Sequence, residues 1–208
     1  MPLHRTEGIV LKSASFGEAD LIVTYLTRDF GLIRTFAKSP RKAKSRFGAS
    51  LEPLTCSRIS FFGREDASLP RLTQSDIIES FQGLRESLDV FTDASETTTL
   101  ILELLPEGEP NRKAFRLLRA VLKLMESLPG RRGFLVLLFK IRLLDMAGYS
   151  PLLKHAAAGQ RGHGPLRYWK LHESMRAWEI PVVLRIRPSS AMMGELKSLI
   201  DAHIKEIL

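Results

Sequence analysis

Between Lys38 and Gly48 the chain carries five cations, Lys38, Arg41, Lys42, Lys44 and Arg46, with no acid among them. Pro40 and Gly48 interrupt regular structure there, so the charges fall on a loop that can follow a phosphate backbone. A solvated basic loop has the same composition, and only its setting separates the two. Just upstream, Arg34, Phe36 and Lys38 alternate with Ile33, Thr35 and Ala37, which puts a basic-aromatic-basic row on one side of a strand. Cations for phosphates and a ring for base stacking are what a single-strand surface uses, although a lone strand aromatic more often packs inward.

A second cationic set reads as helical. Arg112, Arg116, Arg119 and Lys123 follow +4, +3, +4 spacing, and Arg131 and Arg132 come shortly after. The four share one helix face, which can be a plain solvated face or a receiver of phosphates or an acidic peptide.

Residue constellations for catalysis are missing from the sequence. There is no phosphate-loop, dinucleotide, His-Glu-x-x-His or Gly-x-Ser-x-Gly motif. The paired acids Glu65 and Asp66 fall in a turn, and a binding protein is expected rather than an enzyme. His155, His163 and His172 lie in an irregular stretch and read as exposed loop histidines; lacking regular spacing or thiolates, they assign no metal. The single cysteine, Cys56, excludes an internal disulfide and a thiolate zinc site, and it reads as a small buried hydrophobe. Neither a cofactor nor a metal is expected.

These residues need elements to hold them. The chain of 208 residues is 44% apolar with a formal net charge of +8, which favours an anionic partner and fits one large domain or two small ones. No apolar run is long enough to span a membrane and the first residues lack a signal-peptide core, so a cytoplasmic, nucleoid-associated protein is expected. Residues 1–80 read as five short strands: Glu7 to Ser13, Asp20 to Thr27, Leu32 to Lys38, about Glu52 to Phe62, and about Arg71 to Ser80. A phase shift between Cys56 and Ile59 suggests a bulge. The strand count fits a small barrel, either of the oligonucleotide-binding kind or SH3-like.

From Phe81 the apolar period becomes helical. Helices are expected over Leu84 to Leu105, over Asn111 to Leu128 with Asn111 as cap, over an almost wholly apolar Gly133 to Ala147, and over Ser190 to Ile207. Ser150 to Leu171 reads as an irregular excursion. The expected class is α+β in two domains, an N-terminal five-stranded barrel (1–80) and a helical domain (81–208).

In this order the chain resembles the bacterial RecO family of DNA repair and recombination mediators. The likeness is carried by Glu7-Gly-Ile-Val-Leu-Lys12, Phe16-Gly-Glu-Ala-Asp20, Ile22-Val23-Thr24, Leu26-Thr27, Gly31-Leu-Ile33, Ala37-Lys38 and Lys44-Ser-Arg-Phe-Gly48. Further on it rests on Leu102-Glu-Leu-Leu-Pro-Glu-Gly-Glu-Pro-Asn111, Phe115-Arg-Leu-Leu118, Leu143-Leu144 and Gly148-Tyr149. The resemblance implies an oligonucleotide-binding barrel that binds single- and double-stranded DNA and anneals complementary strands without ATP. It also implies help in loading the recombinase onto DNA coated by single-strand-binding protein, with the RecR protein as partner and the acidic tail of single-strand-binding protein held by the helical domain. Many members carry a four-cysteine zinc module after the Gly-Tyr pair. Here His155, Ala158 and Gly159 stand at the matching positions and no Cys-x-x-Cys follows, so zinc is not carried over. Packing by Tyr168, Trp169 and Trp178 is expected to stiffen that segment instead.

The expected mechanism is that Arg34, Phe36, Lys38, Arg41, Lys42, Lys44 and Arg46 hold DNA. Arg112, Arg116, Arg119, Lys123, Arg131 and Arg132 then form a second DNA surface or the seat of the acidic tail. The alternative is an interaction adaptor whose basic surfaces take acidic peptides and whose DNA affinity is incidental.

Overall fold

The first strand, β1 (Leu3–Phe16), is long because it serves two partners. In this computed structural model, which describes residues 2–38, 40, 47–63, 69–151 and 165–208, β1 pairs from Leu3 to Ile9 with β4 and from Gly8 to Phe16 with β2. A register shift between Val10 and Lys12, within the β2 ladder and just past the end of the β4 ladder at Ile9, marks a bulge there. The strand expected at Glu7 to Ser13 is therefore extended at both ends, to Leu3 and to Phe16. Hydrophobicity alone hides this, because the added residues are held by ladder hydrogen bonds.

β2 (Asp20–Thr27), β3 (Gly31–Ala37), β4 (Cys56–Phe62) and β5 (Arg71–Glu79) complete a closed barrel in the order β1-β2-β3-β5-β4. Every ladder is antiparallel except β3–β5, which is parallel and consists of one pair, Phe36 and Arg71. Five strands closed in this order, with one seam joined by a single pair, fit the oligonucleotide-binding kind of barrel. The bulge expected near Cys56 is present as a register shift between Cys56 and Ser57. Val10, Val23, Tyr25, Ile59, Phe61 and Leu72 fill the interior, with Phe47 and Leu51 closing over them. β4 starts later than expected because the chain before it forms a 3-10 turn, Gly48–Leu51, and Leu54 takes a left-handed φ of 69°.

Helix α1 (Leu88–Leu104) is capped by Ser87 and preceded by a 3-10 turn at Gln82–Arg85, so the helix begins later than its apolar period suggests. Its threonine run is accommodated by side-chain bonds to the preceding turn: Thr97 Oγ1 donates to Ala94 O at 2.6 Å and Thr98 Oγ1 to Ser95 O at 2.9 Å. Helix α2 (Arg112–Ser127) starts at the expected cap, with Asn111 Oδ1 accepting from Ala114 N at 2.9 Å. Between α1 and α2 the chain returns to the barrel. Glu107 bridges to Leu32, and Gly108 N donates to Leu32 O at 2.8 Å. Gly31 permits this approach: its φ is +66°, and a Cβ there would lie 2.0 Å from Glu109 O.

The chain falls into two compact units, Met1–Arg132 and Gly133–Leu208. In the second, α3 (Arg132–Met146) is buried almost all round, as its composition implies, and Gly148 ends it at φ +82°. Lys140 on α3 is 4% exposed and pairs with Asp201 of α6 (Ser190–Ile207) at 2.5 Å. Residues 165–171, expected to be irregular, belong to α4 (Pro165–Ala177), which a proline at the first helical position starts. A short turn of helix, α5 (Ile180–Val183), precedes α6. Tyr168 donates to Glu195, and Trp178 is about half exposed with its carbonyl accepting from Arg142. Among the described residues no helix is long and apolar enough to cross a membrane.

Candidate nucleic-acid interface

Two cross-strand rows run over the outer face of β1, β2 and β3. Lys12 pairs with Thr24 and Thr24 with Arg34; Ala14 pairs with Ile22 and Ile22 with Phe36. Partners in an antiparallel ladder share a face, and Val23, Tyr25 and Ala37 occupy the interior, so these rows point outward. Phe16 ends the face on β1. It is 53% exposed and meets Phe36 edge-on, with ring centroids 5.8 Å apart and planes at 87°. Phe36 is thus an outward, half-buried ring propped by Phe16, and Lys38 beyond it is exposed. The arrangement presents two adjacent aromatic rings bordered by Lys12, Arg34 and Lys38, the pattern that stacks bases while cations meet phosphates.

Arg34 is held in the open: its Nε lies 3.1 Å from Glu107 Oε1, with both side chains more than half exposed. Such a pair is worth little in water and exchanges readily for a phosphate. Arg41, Lys42, Lys44 and Arg46 lie outside the described residues, as do His155, His163, Glu65 and Asp66. Lys12 and Phe16 were not singled out from the sequence. Their signal is the i, i+2, i+4 spacing of Lys12, Ala14 and Phe16, legible only once β1 is known to continue past Ser13.

The α2 cations are placed differently from one another. Arg119 reaches the barrel, 2.7 Å from Glu79 Oε2 and 3.2 Å from Glu7 Oε2, and Lys123 approaches Glu79 Oε1 at 3.5 Å. Arg112 contacts Asp29 at 2.7 Å. Burial alone would raise the Glu79 carboxyl, but the Arg119 hydrogen bond and charge, with Lys123 behind them, hold it below the usual range. Asp29 is likewise lowered, by the Thr6 hydroxyl first, against burial, and then by Arg112. Arg116 is exposed, with Nε donating to Arg112 O at 3.3 Å; Arg132 lies 3.6 Å from Asp93, and Arg131 is half-buried. The face read as either solvated or receiving phosphates or an acidic peptide therefore spends Arg119 on fastening helix to barrel.

His172, expected in an exposed loop, is 1% exposed on α4, where it shares a buried face with Leu171 and Met175. Burial pushes its imidazole below the ordinary histidine value. Cys56 is fully buried and burial pushes its thiol up to about 12, which leaves it inert. Among the described residues no cluster of histidine, cysteine and acidic side chains could hold a metal.

The family described as Recombination protein O N terminal matches residues 1–81, and that described as Recombination protein O C terminal matches residues 85–174. The chain is 35% identical over 235 residues to a protein named DNA repair protein RecO from Thermodesulfovibrio yellowstonii, covering 99% of this chain and 93% of the relative. It is 38% identical to the one from Rubrobacter xylanophilus over 76% of this chain and 62% of the relative, and 39% identical to the one from Syntrophus aciditrophicus over 72% and 58%. With both halves matched and the barrel carrying its aromatic-basic face, the chain belongs to the RecO family of recombination proteins.

Proposed function

We propose that this chain acts in recombinational DNA repair as a non-catalytic mediator, binding single- and double-stranded DNA, annealing complementary strands and helping to load the recombinase on DNA coated by single-strand-binding protein. The observation that carries the reading is the paired Phe16 and Phe36 on the outer β1–β3 face, bordered by Lys12, Arg34 and Lys38. Arg41, Lys42, Lys44 and Arg46, which follow Lys38 in the sequence and lie outside the described residues, are proposed as further phosphate contacts.

In this reading the barrel, residues 1–80, holds one strand, and the helical part, residues 81–208, brings the second strand or a protein partner. Arg112, Arg116 and Lys123, with Arg131 and Arg132, form the second basic surface, while Arg119 is structural. That surface receives DNA or the acidic tail of single-strand-binding protein, and RecR is the expected partner; the setting is the cytoplasm, at the nucleoid. Two cationic surfaces that screen the repulsion between strands explain annealing without a chemical step.

Strand annealing on DNA coated by single-strand-binding protein tests the proposal. Wild-type protein is expected to accelerate annealing without ATP, and the double variant Phe16→Ala, Phe36→Ala to lose most of that effect. Undiminished annealing by the double variant would remove the barrel face from the mechanism.

A further inference from the structure

The thin β3–β5 seam borders a cavity of about 390 Å³, walled by His4, Phe30, Ile33, Phe61, Pro70 and the backbone of Gly108. Its volume lies within the roughly 300–1,000 Å³ of small-molecule sites. Three rings shape it. His4 and Phe61 lie 5.3 Å apart with planes tilted by 30°, and Phe30 stands edge-on to both at 5.1 and 5.4 Å. A flat guest can therefore meet a ring face on one side and a ring edge on another. The imidazole of His4 has no hydrogen-bond partner among the described residues, and its two nitrogens can donate to and accept from a polar edge.

The cavity also adjoins the DNA face. Pro70 O, in its wall, accepts from Phe36 N at 2.8 Å, and Arg71, the next residue, is the ladder partner of Phe36. Arg71 is exposed and makes no ion pair among the described residues. A ring for stacking, a polar edge reader and a free cation thus stand together one residue from the stacking platform.

We propose that this cavity takes one nucleobase of a single strand already lying on the Phe16–Phe36 face, with His4 bonding its edge and Arg71 meeting its phosphate. The proposal rests on the reading of that face as a DNA surface. An apolar side chain from a protein partner would fill the same walls but leave His4 and Arg71 unused, so the nucleotide is the better match of chemistry.

The test compares binding of a ten-residue thymidine oligonucleotide with binding of the same backbone lacking bases, for the full chain and for His4→Ala, Phe30→Leu and Arg71→Ala. Expected is a fall of about tenfold in the base-to-abasic affinity ratio for His4→Ala and Phe30→Leu, equivalent to the loss of one stacked base. Arg71→Ala should weaken both substrates and shrink the salt slope by about 0.7. A misfolded variant would lose both substrates together, so the ratio reads the cavity itself. If oligonucleotide binding persists and the ratio is unchanged in both cavity variants, the cavity is not a base site although the DNA face stands. If the wild type binds neither substrate, the underlying reading falls and the cavity proposal with it. A tryptophan-bearing peptide that binds through His4 while the ratio stays constant would also overturn it, in favour of a protein partner.

Discussion

At the scale of single residues, the proposed interface assigns stacking to Phe16 and Phe36 and phosphate contacts to Lys12, Arg34 and Lys38. Replacing either ring by alanine removes stacking worth about 1–3 kcal/mol per base, so single-strand affinity should fall by about 5- to 150-fold with the salt slope unchanged. Lys12→Ala should do the reverse, reducing the slope by about 0.7 with a modest loss of affinity; fluorescence titration at several salt concentrations measures both. Buried His172 makes a different prediction. Its folded imidazole titrates below the unfolded value of about 6.5, so the stability it contributes is complete above that value and is lost as pH falls through its folded one. Urea midpoints measured from pH 7.5 down to 5 should drop for the wild type and drop less for His172→Leu.

At the scale of elements, the joint between α2 and the barrel turns on Arg119 between Glu7 and Glu79. Arg119→Met leaves two half-buried carboxylates without their shared cation and should cost about 1–3 kcal/mol by urea denaturation. Glu79 and Asp29 are both lowered, so what they contribute is present above their unfolded values, near 4, and is lost as pH falls below that range. Acid should therefore loosen this joint in a lower pH window than the one His172 governs. Much of this layer was legible beforehand. β2, α6, the Asn111 cap and the buried α3 follow from alternation, helical period and capping chemistry that neighbouring residues set locally. The double service of β1 was not, because the pairing of Leu3 with Phe62 is a contact across the barrel that no local period encodes. The same holds for the α2 stripe. Spacing places Arg112, Arg116, Arg119 and Lys123 on one face, but only the fold brings Glu7, Glu79 and Asp29 opposite it. His172 was misread for a related reason, since glycine and histidine content upstream says loop while Pro165 starts a helix.

At the scale of the whole molecule, the proposed function has a chain of net charge +8 screen two strands at once, and annealing should then be steeply faster at low salt. The triple variant Arg112→Ala, Arg116→Ala, Lys123→Ala should slow annealing more than it weakens binding of one oligonucleotide, and gel assays of both on one preparation would measure the difference. The fold also has an order of assembly. As the chain leaves the ribosome, β3 emerges about seventy residues before Gly108, whose amide caps Leu32. Until then the lower half of β3 is a bare strand edge, the kind that pairs with other chains. A product ending at residue 80 should thus be sticky and poorly soluble, whereas one ending at residue 132 should stay monomeric, and light scattering of the two fragments would show it. The turn at Glu107–Gly108 is in this sense a late-arriving latch, and the nascent barrel depends on whatever shields it in the interval.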